Sequence, residues 1–380
     1  MVYFFLTGLV FFLFFIFLEY YRLNARLKKI PIRILVNGTR GKSTTVRILY
    51  QILIRHNNRV YAKTTGDRPE ILEPDGTIRL IKRRAPANIA ENILFLRKWV
   101  DDKTDAVVLE SMALHPEMQL TLSHYIFKPT HTVITNILPD HQEIMGSSLM
   151  QNTRVIATSI RSDTSLFISR STDELLKTSG IQNQNQIFFE EYRFLIDFDN
   201  LPEKIINQSW AIVNSISENM AWQKKHTKEC FLAIWDSIDK SIKWEISDQK
   251  IEFWNLFSIN DTHTASQFID NCLSKTDRPV SYVLLLNCRQ DRPLRTKYFI
   301  GLIADKYREA NIWLTGDGRH LAYHMLKKRV RKQPVFRGRR DQVIDRIRNG
   351  FSEKTLLFGI GNYKGMDTLI QQIKTVPDCK

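Results

Sequence analysis

The apolar run Met1 to Leu18, MVYFFLTGLVFFLFFIFL, holds no charged side chain, and the pattern changes character at Glu19. As a helix this run spans about 27 Å, close to the hydrocarbon thickness of a bilayer. Glu19-Tyr20-Tyr21 follows at interfacial depth, then Arg22, Arg26, Lys28 and Lys29, whose charge predicts a cytoplasmic side. No basic segment precedes the run and no small-residue cleavage site follows it. The pattern therefore predicts an uncleaved single-pass anchor in the cell membrane rather than a removed signal peptide.

Beyond the anchor, short apolar runs alternate with stretches of helical period. Strands are expected at 59–64, 106–110, 132–135 and 165–168. Helices are expected at 88–100, with Ile89, Ile93, Leu96 and Val100 on one face, and near 151–160. Residues 71–81 read as a hairpin turning at Pro74-Asp75-Gly76. Residues 182–248 are less regular, with acidic and amide clusters and two expected helices near 208–225 and 227–239. Alternation resumes at Ile251, with strands at 280–286, 312–315 and 356–360. The whole predicts an α/β protein in three parts: a membrane anchor over 1–24, a doubly wound domain over 25–248 and a smaller α/β domain over 249–380. No internal repeat interrupts this order.

Chemistry enters at Ile32 to Thr45, IRILVNGTRGKSTT. An apolar strand stops at Asn37-Gly38, and Gly41-Lys42-Ser43 opens an amphipathic helix with Val46, Leu49 and Leu53 on one stripe. A glycine loop between strand and helix points backbone N–H groups at a phosphate, and the helix N-terminus adds partial positive charge. Lys42 supplies a mobile cation for the β- and γ-phosphates, and the Ser43 hydroxyl suits Mg²⁺. A standard phosphate loop has a glycine five residues before Gly41, where this chain has Val36, so the motif is the shorter GTRGKS. The expected ligand is a nucleoside triphosphate, ATP with Mg²⁺, and the predicted topology keeps the loop in the cytoplasm.

Three further signals fall at or after strand ends, where doubly wound sheets bind ligands. Glu110 ends the strand in DAVVLESM, either as a metal ligand or as part of a helix start at Ser111. Asp140 and His141 in NILPDH offer an oxygen and an imidazole. Thr64 and Thr65 in AKTTGD offer hydroxyls and Gly66 permits a tight turn, or the group is only a turn cap.

Composition narrows the class. The 380 residues are 43% hydrophobic and 25% charged, as in a globular chain, with a net charge of +15. Eight of the fourteen residues from Lys327 to Arg340 are basic, which suits a solvated helix end, a polyanion or an anionic membrane surface. No fingerprint of a nucleic-acid-binding module accompanies them, so no nucleic-acid partner is expected. The four cysteines form no CxxC pair, which argues against a zinc site or a disulfide framework and for a reducing compartment.

GTRGKST at 38–44, the strand-ending Glu110 and N-x-x-x-D-H at 136–141 resemble the Mur-ligase superfamily, whose members join an amino acid to a carboxylate with ATP. Within it the chain is most similar to the ligase subunit of poly-γ-glutamate synthase. The points of likeness are the N-terminal anchor, VNGTRGKST, AKTTG, NCRQDRPLR at 287–295, LTGDG at 314–318 and FGIGNYKG at 358–365. The resemblance implies that Asn37, Gly38, Thr39, Arg40 and Gly41 wrap the β-phosphate, and that Lys42, Ser43 and Thr44 complete the nucleotide site. It implies one Mg²⁺ on Ser43 and a second divalent ion on Glu110 and His141. Arg289, Asp291 and Arg292 would be the smaller domain's contribution to a closed site. Many members carry a carbamylated lysine after the Asp-His motif, whereas here the first lysine after His141 is Lys177.

The implied reaction is phosphorylation of a carboxylate by ATP and attack on the acyl phosphate by an amine, with glutamate or poly-γ-glutamate as substrate. Membrane subunits of a synthase and export complex are the implied partners. A ligase of the same superfamily with another acceptor, and a membrane-anchored phosphate-loop NTPase, are the competing readings.

Overall fold

The computed structural model describes residues 2–56, 58–66, 69–83, 88–138, 142–146, 148–181, 185–189, 203–222, 227–229, 231–233, 243–246, 251–259, 261–275, 281–330, 334–349, 351 and 353–374. The chain divides into two compact units, Met1–Asp197 with Glu203–Ile234, and Phe198–Pro202 with Trp235–Lys380.

The first unit opens with α1 (Val2–Lys29). Strand β1 (Ile32–Asn37) follows, then α2 (Lys42–Arg55), β2 (Val60–Lys63), β3 (Glu70–Leu72), β4 (Ile78–Leu80) and α3 (Ile89–Lys98). Next come β5 (Ala106–Glu110), α4 (Pro116–Leu120), β6 (His131–Ile134), α5 (Gln142–Met145), α6 (Leu149–Ala157), β7 (Ser165–Ser169), α7 (Arg170–Thr178), β8 (Gln186–Phe189) and α8 (Glu203–Asn219). The eight strands form one sheet in the order β4-β3-β2-β5-β1-β6-β7-β8. The pairs from β2 to β8 are parallel, while β3 and β4 are antiparallel additions at one edge. Those two strands are the expected hairpin, with Gly76 at φ 86° in its turn.

Central strand β1 is apolar because both its faces are covered. Leu35, Tyr61, Phe95, Leu96, Val107 and Leu109 join the sheet to α3 and to the end of α1, and Ile134, Ile156, Leu166, Ile168 and Leu176 join it to α6 and α7. Helix α2 is buried on more than the expected stripe, since Ile48, Tyr50 and Ile52 are covered along with Val46, Leu49 and Leu53; α8 packs against it.

Two features go beyond the sequence reading. Helix α1 runs unbroken from Val2 to Lys29, past the expected anchor bound at 24. Leu23, Leu27 and Ile30, at helical spacing, are buried in the core of this unit, and their burial is worth about 5 kcal/mol. A π-helical turn (Thr121–Phe127) also continues α4 and ends at Lys128, a non-glycine residue in the left-handed region at φ 49°.

The second unit holds β9 (Lys243–Ile246), β10 (Ile251–Asn255), α9 (Thr262–Ser274), β11 (Ser281–Asn287), α10 (Pro293–Lys306) and β12 (Asn311–Thr315). Then come α11 (Arg319–Arg329), β13 (Val335–Arg337), α12 (Arg340–Arg348), β14 (Thr355–Ile360) and α13 (Asp367–Lys374). Its sheet order is β13-β12-β11-β14-β10-β9, parallel except for the antiparallel β9–β10 pair. Phe253, Phe257, Val283, Leu285, Leu357, Met366 and Leu369 fill one side of that sheet.

Candidate active site

In the first sheet the chain runs outward from β1 to β2, returns to β5, then crosses to β6 on the other side of β1. The C-terminal end of β1 is therefore a topological switch point, where such sheets bind ligands. The glycine loop occupies it. Gly38 at φ 117° lies so close to β6 that a Cβ there would meet Thr135 Oγ1 at 2.4 Å and Asn136 O at 2.8 Å. Only glycine has both the freedom and the room at this position. Gly41 at φ 77° is the N-cap of α2, so Lys42, Ser43 and Thr44 form that helix's first turn.

Asn136, which follows β6, clamps the loop from the side. Its Oδ1 accepts from the Thr39 hydroxyl at 2.6 Å and from the Arg40 N–H at 3.0 Å, and its amide donates to Arg40 O at 3.2 Å. The Thr39 N–H donates to Asn136 O at 3.0 Å, and the Leu138 N–H donates to the Thr39 hydroxyl at 3.0 Å. The Asn37 side chain faces inward, donating to Gln119 Oε1 at 2.9 Å and to Ser159 Oγ at 2.8 Å, while its Oδ1 accepts from the Gly38 N–H at 2.8 Å. The Lys42 ammonium donates to Gly38 O at 2.7 Å and to Thr39 O at 3.3 Å, so it lies along the loop.

Glu110 ends β5 beside β1 and is buried. Its Oε2 accepts from the Ser43 hydroxyl at 2.8 Å and from the Thr65 N–H at 2.8 Å. The phosphate-loop serine, the strand-ending carboxylate and the 64–66 turn thus meet at one point. Thr64 serves the turn itself, its hydroxyl accepting from the Glu70 N–H at 3.0 Å.

Sequence reasoning missed the layer behind Glu110. Lys63, the last residue of β2, is fully buried; its ammonium lies 2.7 Å from Glu91 Oε1 and donates to Asn92 Oδ1 at 2.9 Å. Arg83 donates to both oxygens of Glu91, at 2.7 and 2.9 Å, and to Thr65 O at 3.0 Å. A chain of polar contacts therefore runs from Lys63 through Glu91 and Arg83 to Thr65, whose N–H holds Glu110. Burial pushes the Lys63 ammonium below the ordinary lysine range, against the pull of Glu91. Burial pushes the Glu91 carboxyl up, but Arg83 and Lys63 outweigh it and hold it below the usual carboxylate range. The signal in the sequence was a lysine closing an apolar strand, immediately before the turn already singled out.

Asp67, Asp140 and His141 lie outside the described residues. Among the described residues no three His, Cys, Asp or Glu side chains gather as a metal cage. The donor set at the loop still fits Mg²⁺. Ser43 Oγ and Glu110 Oε2 are hard oxygen donors 2.8 Å apart, and Mg²⁺ completes its shell with water and phosphate oxygens. Lys177 takes no part, since it pairs with Asp173 on α7 at 2.6 Å and is exposed.

In the second unit, the switch point lies between β11 and β14. Asn287, ending β11, donates to Asn362 O at 2.5 Å and to Lys364 O at 3.3 Å, and Asn362 donates back to Asn287 O at 3.2 Å. Gly316, at φ 88°, presses on Cys288 O, where a Cβ would come within 2.3 Å. The three stretches NCRQDRP, LTGDG and FGIGN thereby form one cluster. Arg289 donates through Nε to Asp291 Oδ1 at 2.8 Å and through Nη2 to Asp291 Oδ2. That guanidinium holds the Asp291 carboxyl below the usual carboxylate range. Arg292 caps the start of α10, and Arg295 reaches Asn362 Oδ1 at 3.2 Å.

Comparison with known proteins agrees with this geometry in both units. Residues 36–194 match the Mur ligase middle domain, and residues 242–376 match the poly-gamma-glutamate synthase CapB C-terminal domain. The first unit is thus similar to the middle domain of Mur ligases and the second to the C-terminal domain of poly-gamma-glutamate synthase CapB. The PGA synthase CapB of Bacillus subtilis (strain 168) is 26% identical over 318 residues, 79% of this chain and 78% of that protein. The capsule biosynthesis protein CapB of Bacillus anthracis is 25% identical over 291 residues, 72% of this chain but 61% of that protein. Among solved structures, a bifunctional folylpolyglutamate synthase/dihydrofolate synthase from Yersinia pestis, complexed with AMPPNP and a Mn ion, has a TM-score of 0.63. It is 13% identical, and the match covers 94% of this chain and 92% of that one. The Mur-ligase-like α/β fold implied by the motifs is thus present, with one sheet in each unit.

Proposed function

We propose that this chain is an ATP-dependent acid–amino-acid ligase that builds poly-γ-glutamate, with Mg²⁺-ATP held at the phosphate loop and glutamate as the amino acid. The observation that carries the reading is the meeting of Ser43 and Glu110, 2.8 Å apart, at the mouth of a loop clamped by Asn136. A plain strand-to-helix turn has no use for a buried carboxylate at that point.

In the reaction a carboxylate oxygen attacks the γ-phosphorus, the bond to the β–γ bridging oxygen breaks, and ADP leaves. The nitrogen of an incoming amine then attacks the acyl carbon, the carbon–oxygen bond breaks, and phosphate departs with one oxygen of the former carboxylate. The amine loses a proton as the amide forms. Asn37 to Gly41 present main-chain N–H groups to the β-phosphate, and the N-terminus of α2 adds its dipole. Lys42 leaves the loop carbonyls for the transferring phosphoryl group, where a preorganised cation lowers the barrier. Ser43 and Glu110 would hold Mg²⁺, which supplies charge neutralisation when bound. His141 is assigned to a second cation, Arg289 and Arg292 to handling anionic groups, and Asp291 to orienting Arg289, on the strength of the motifs and the Arg289–Asp291 pair. Helix α1, 0% buried over its most apolar window, is read as the membrane anchor that keeps the catalytic units in the cytoplasm beside membrane partners of synthesis and export.

The test is ADP release by the purified full chain across a panel of amino acids and acceptors. Release that requires glutamate or poly-γ-glutamate supports the proposal. Release that requires a different acceptor would make the chain another ligase of the superfamily, and release indifferent to any acceptor would make it an NTPase.

A further inference from the structure

Helix α1 changes surroundings at the end of its charge-free run. From Tyr3 to Phe17 every side chain is exposed, whereas from Glu19 onward the same helix is built into the first unit. Arg97 ion-pairs with Glu19. Lys128 donates to Asn24 Oδ1 at 2.7 Å, and its ammonium lies 5.6 Å from the centre of the Tyr20 ring. Arg26 donates to Val100 O at 2.9 Å and to Arg97 O at 3.3 Å, and Arg33 reaches back to Leu27 O at 2.9 Å. Leu23, Leu27 and Ile30 are buried under these contacts. A helix tied at successive turns to α3, to the residue ending the π-helical turn and to β1 cannot swivel at Glu19.

The contacts also set a depth. Glu19 and Tyr20 follow the last apolar residue directly, and at 1.5 Å per residue Asn24 lies about 9 Å from Leu18 along the helix. The side chains that hold Glu19, Tyr20 and Asn24 are Arg97 and Lys128, so these stand at headgroup depth when α1 spans a bilayer. Lys98 is exposed next to Arg97, and Arg22, Tyr20 and Tyr21 are exposed on α1 itself. Basic groups among interfacial aromatics match an anionic membrane surface in charge and in polarity.

We propose that α1 is a rigid stalk, and that the face bearing Arg22, Arg97, Lys98 and Lys128 rests on the cytoplasmic leaflet and takes anionic phosphate headgroups. The proposal depends on reading α1 as an anchor, and it adds a fixed orientation and a lipid preference. The phosphate loop is then carried at one height and angle beneath the membrane rather than on a flexible tether.

The experiment uses the full chain, first in liposome flotation and then in nanodiscs of phosphatidylglycerol or phosphatidylcholine, with amine labelling read by mass spectrometry. Lys177, exposed on α7, is the internal reference. In phosphatidylglycerol, labelling of Lys98 and Lys128 is expected to slow about fivefold relative to phosphatidylcholine, and the contrast should fade at high salt. Equal labelling in both lipids by protein that floats would overturn the docking while leaving the anchor intact. Failure to float would overturn both. Protection in phosphatidylcholine by added poly-γ-glutamate alone would assign the face to the polymer instead. A flexible Gly-Ser insertion between Leu18 and Glu19 should weaken the lipid contrast; a contrast that survives it unchanged would overturn the rigid stalk.

Discussion

The two units place their functional motifs by the same rule and equip them in opposite ways. Each cluster lies at a topological switch point, each is clamped by asparagine side chains, and each presses a glycine of positive φ against a neighbouring strand's end. In the first unit the carboxylate is buried, and its supports run back from buried Thr65 through partly buried Arg83 and Glu91 to fully buried Lys63. In the second unit Arg289 and Asp291 pair with each other, and the Asp291 side chain is 58% exposed. Burial is what separates them. A buried charge has few places to go, so its neighbours fix its geometry before any ligand arrives. An exposed ion pair is worth little and can be exchanged for a ligand at small cost.

Substitutions can break that contrast, and the largest effect is expected at Lys42. Lys42→Ala should lower kcat/KM for ADP release about a thousandfold, because it removes a preorganised cation from the transferring phosphoryl group. The circular dichroism spectrum should not change.

Lys63→Met should act on stability. It strands Glu91 with one cation in place of two, and breaking a buried pair costs about 3 kcal/mol in denaturant unfolding. The double variant Lys63→Met, Glu91→Gln should recover most of that loss. If Lys63→Met unfolds like the parent protein, the buried network is not what holds this edge of the site.

Glu110→Gln keeps the shape and the bond from the Thr65 N–H but removes the charge. It should raise the Mg²⁺ concentration needed for half-maximal ADP release by about a hundredfold, comparable to losing a key support of a metal site.

His131 supplies a pH dependence. Burial, and then the nearby Arg33 charge, push its imidazole down to about 4. The folded chain keeps it neutral while the unfolded chain protonates it near the ordinary value. Its contribution is thus complete above about pH 6.5 and is lost as pH falls toward about 4, about 3 kcal/mol in all. His131→Gln should flatten the unfolding free energy across that window.

The smallest effect on stability is expected in the second unit. Asp291→Asn should change stability by less than about 1 kcal/mol, because the carboxylate it replaces is more than half exposed. A large stability loss there would erase the distinction between the two clusters.

Legibility in the sequence followed the same division between local and distant causes. The β1–loop–α2 segment was readable because strand, glycines and helix are contiguous, and Glu110 was readable because it ends an apolar strand. Asn136 was seen as part of a motif but not as a clamp, since its partners Thr39 and Arg40 lie almost a hundred positions away. Lys63 was passed over because a lysine ending VYAK looks solvated, and only Glu91 and Asn92 on α3 make its burial tolerable. The buried end of α1 was written in the spacing of Leu23, Leu27 and Ile30, but the basic residues between them read as a membrane flank. Strands β8 and β9 fall in the stretch 182–248, where polar residues blur the alternation.

The central claim is that a clamped loop grips a triphosphate so that a carboxylate becomes reactive, and isotope transfer tests it most directly. The full chain would be given ATP, Mg²⁺ and glutamate or poly-γ-glutamate labelled with ¹⁸O in its carboxyl groups, and the released phosphate analysed by mass. The account predicts a single ¹⁸O atom in each phosphate released, formed in step with new amide bonds. Unlabelled phosphate accompanying amide formation would contradict it.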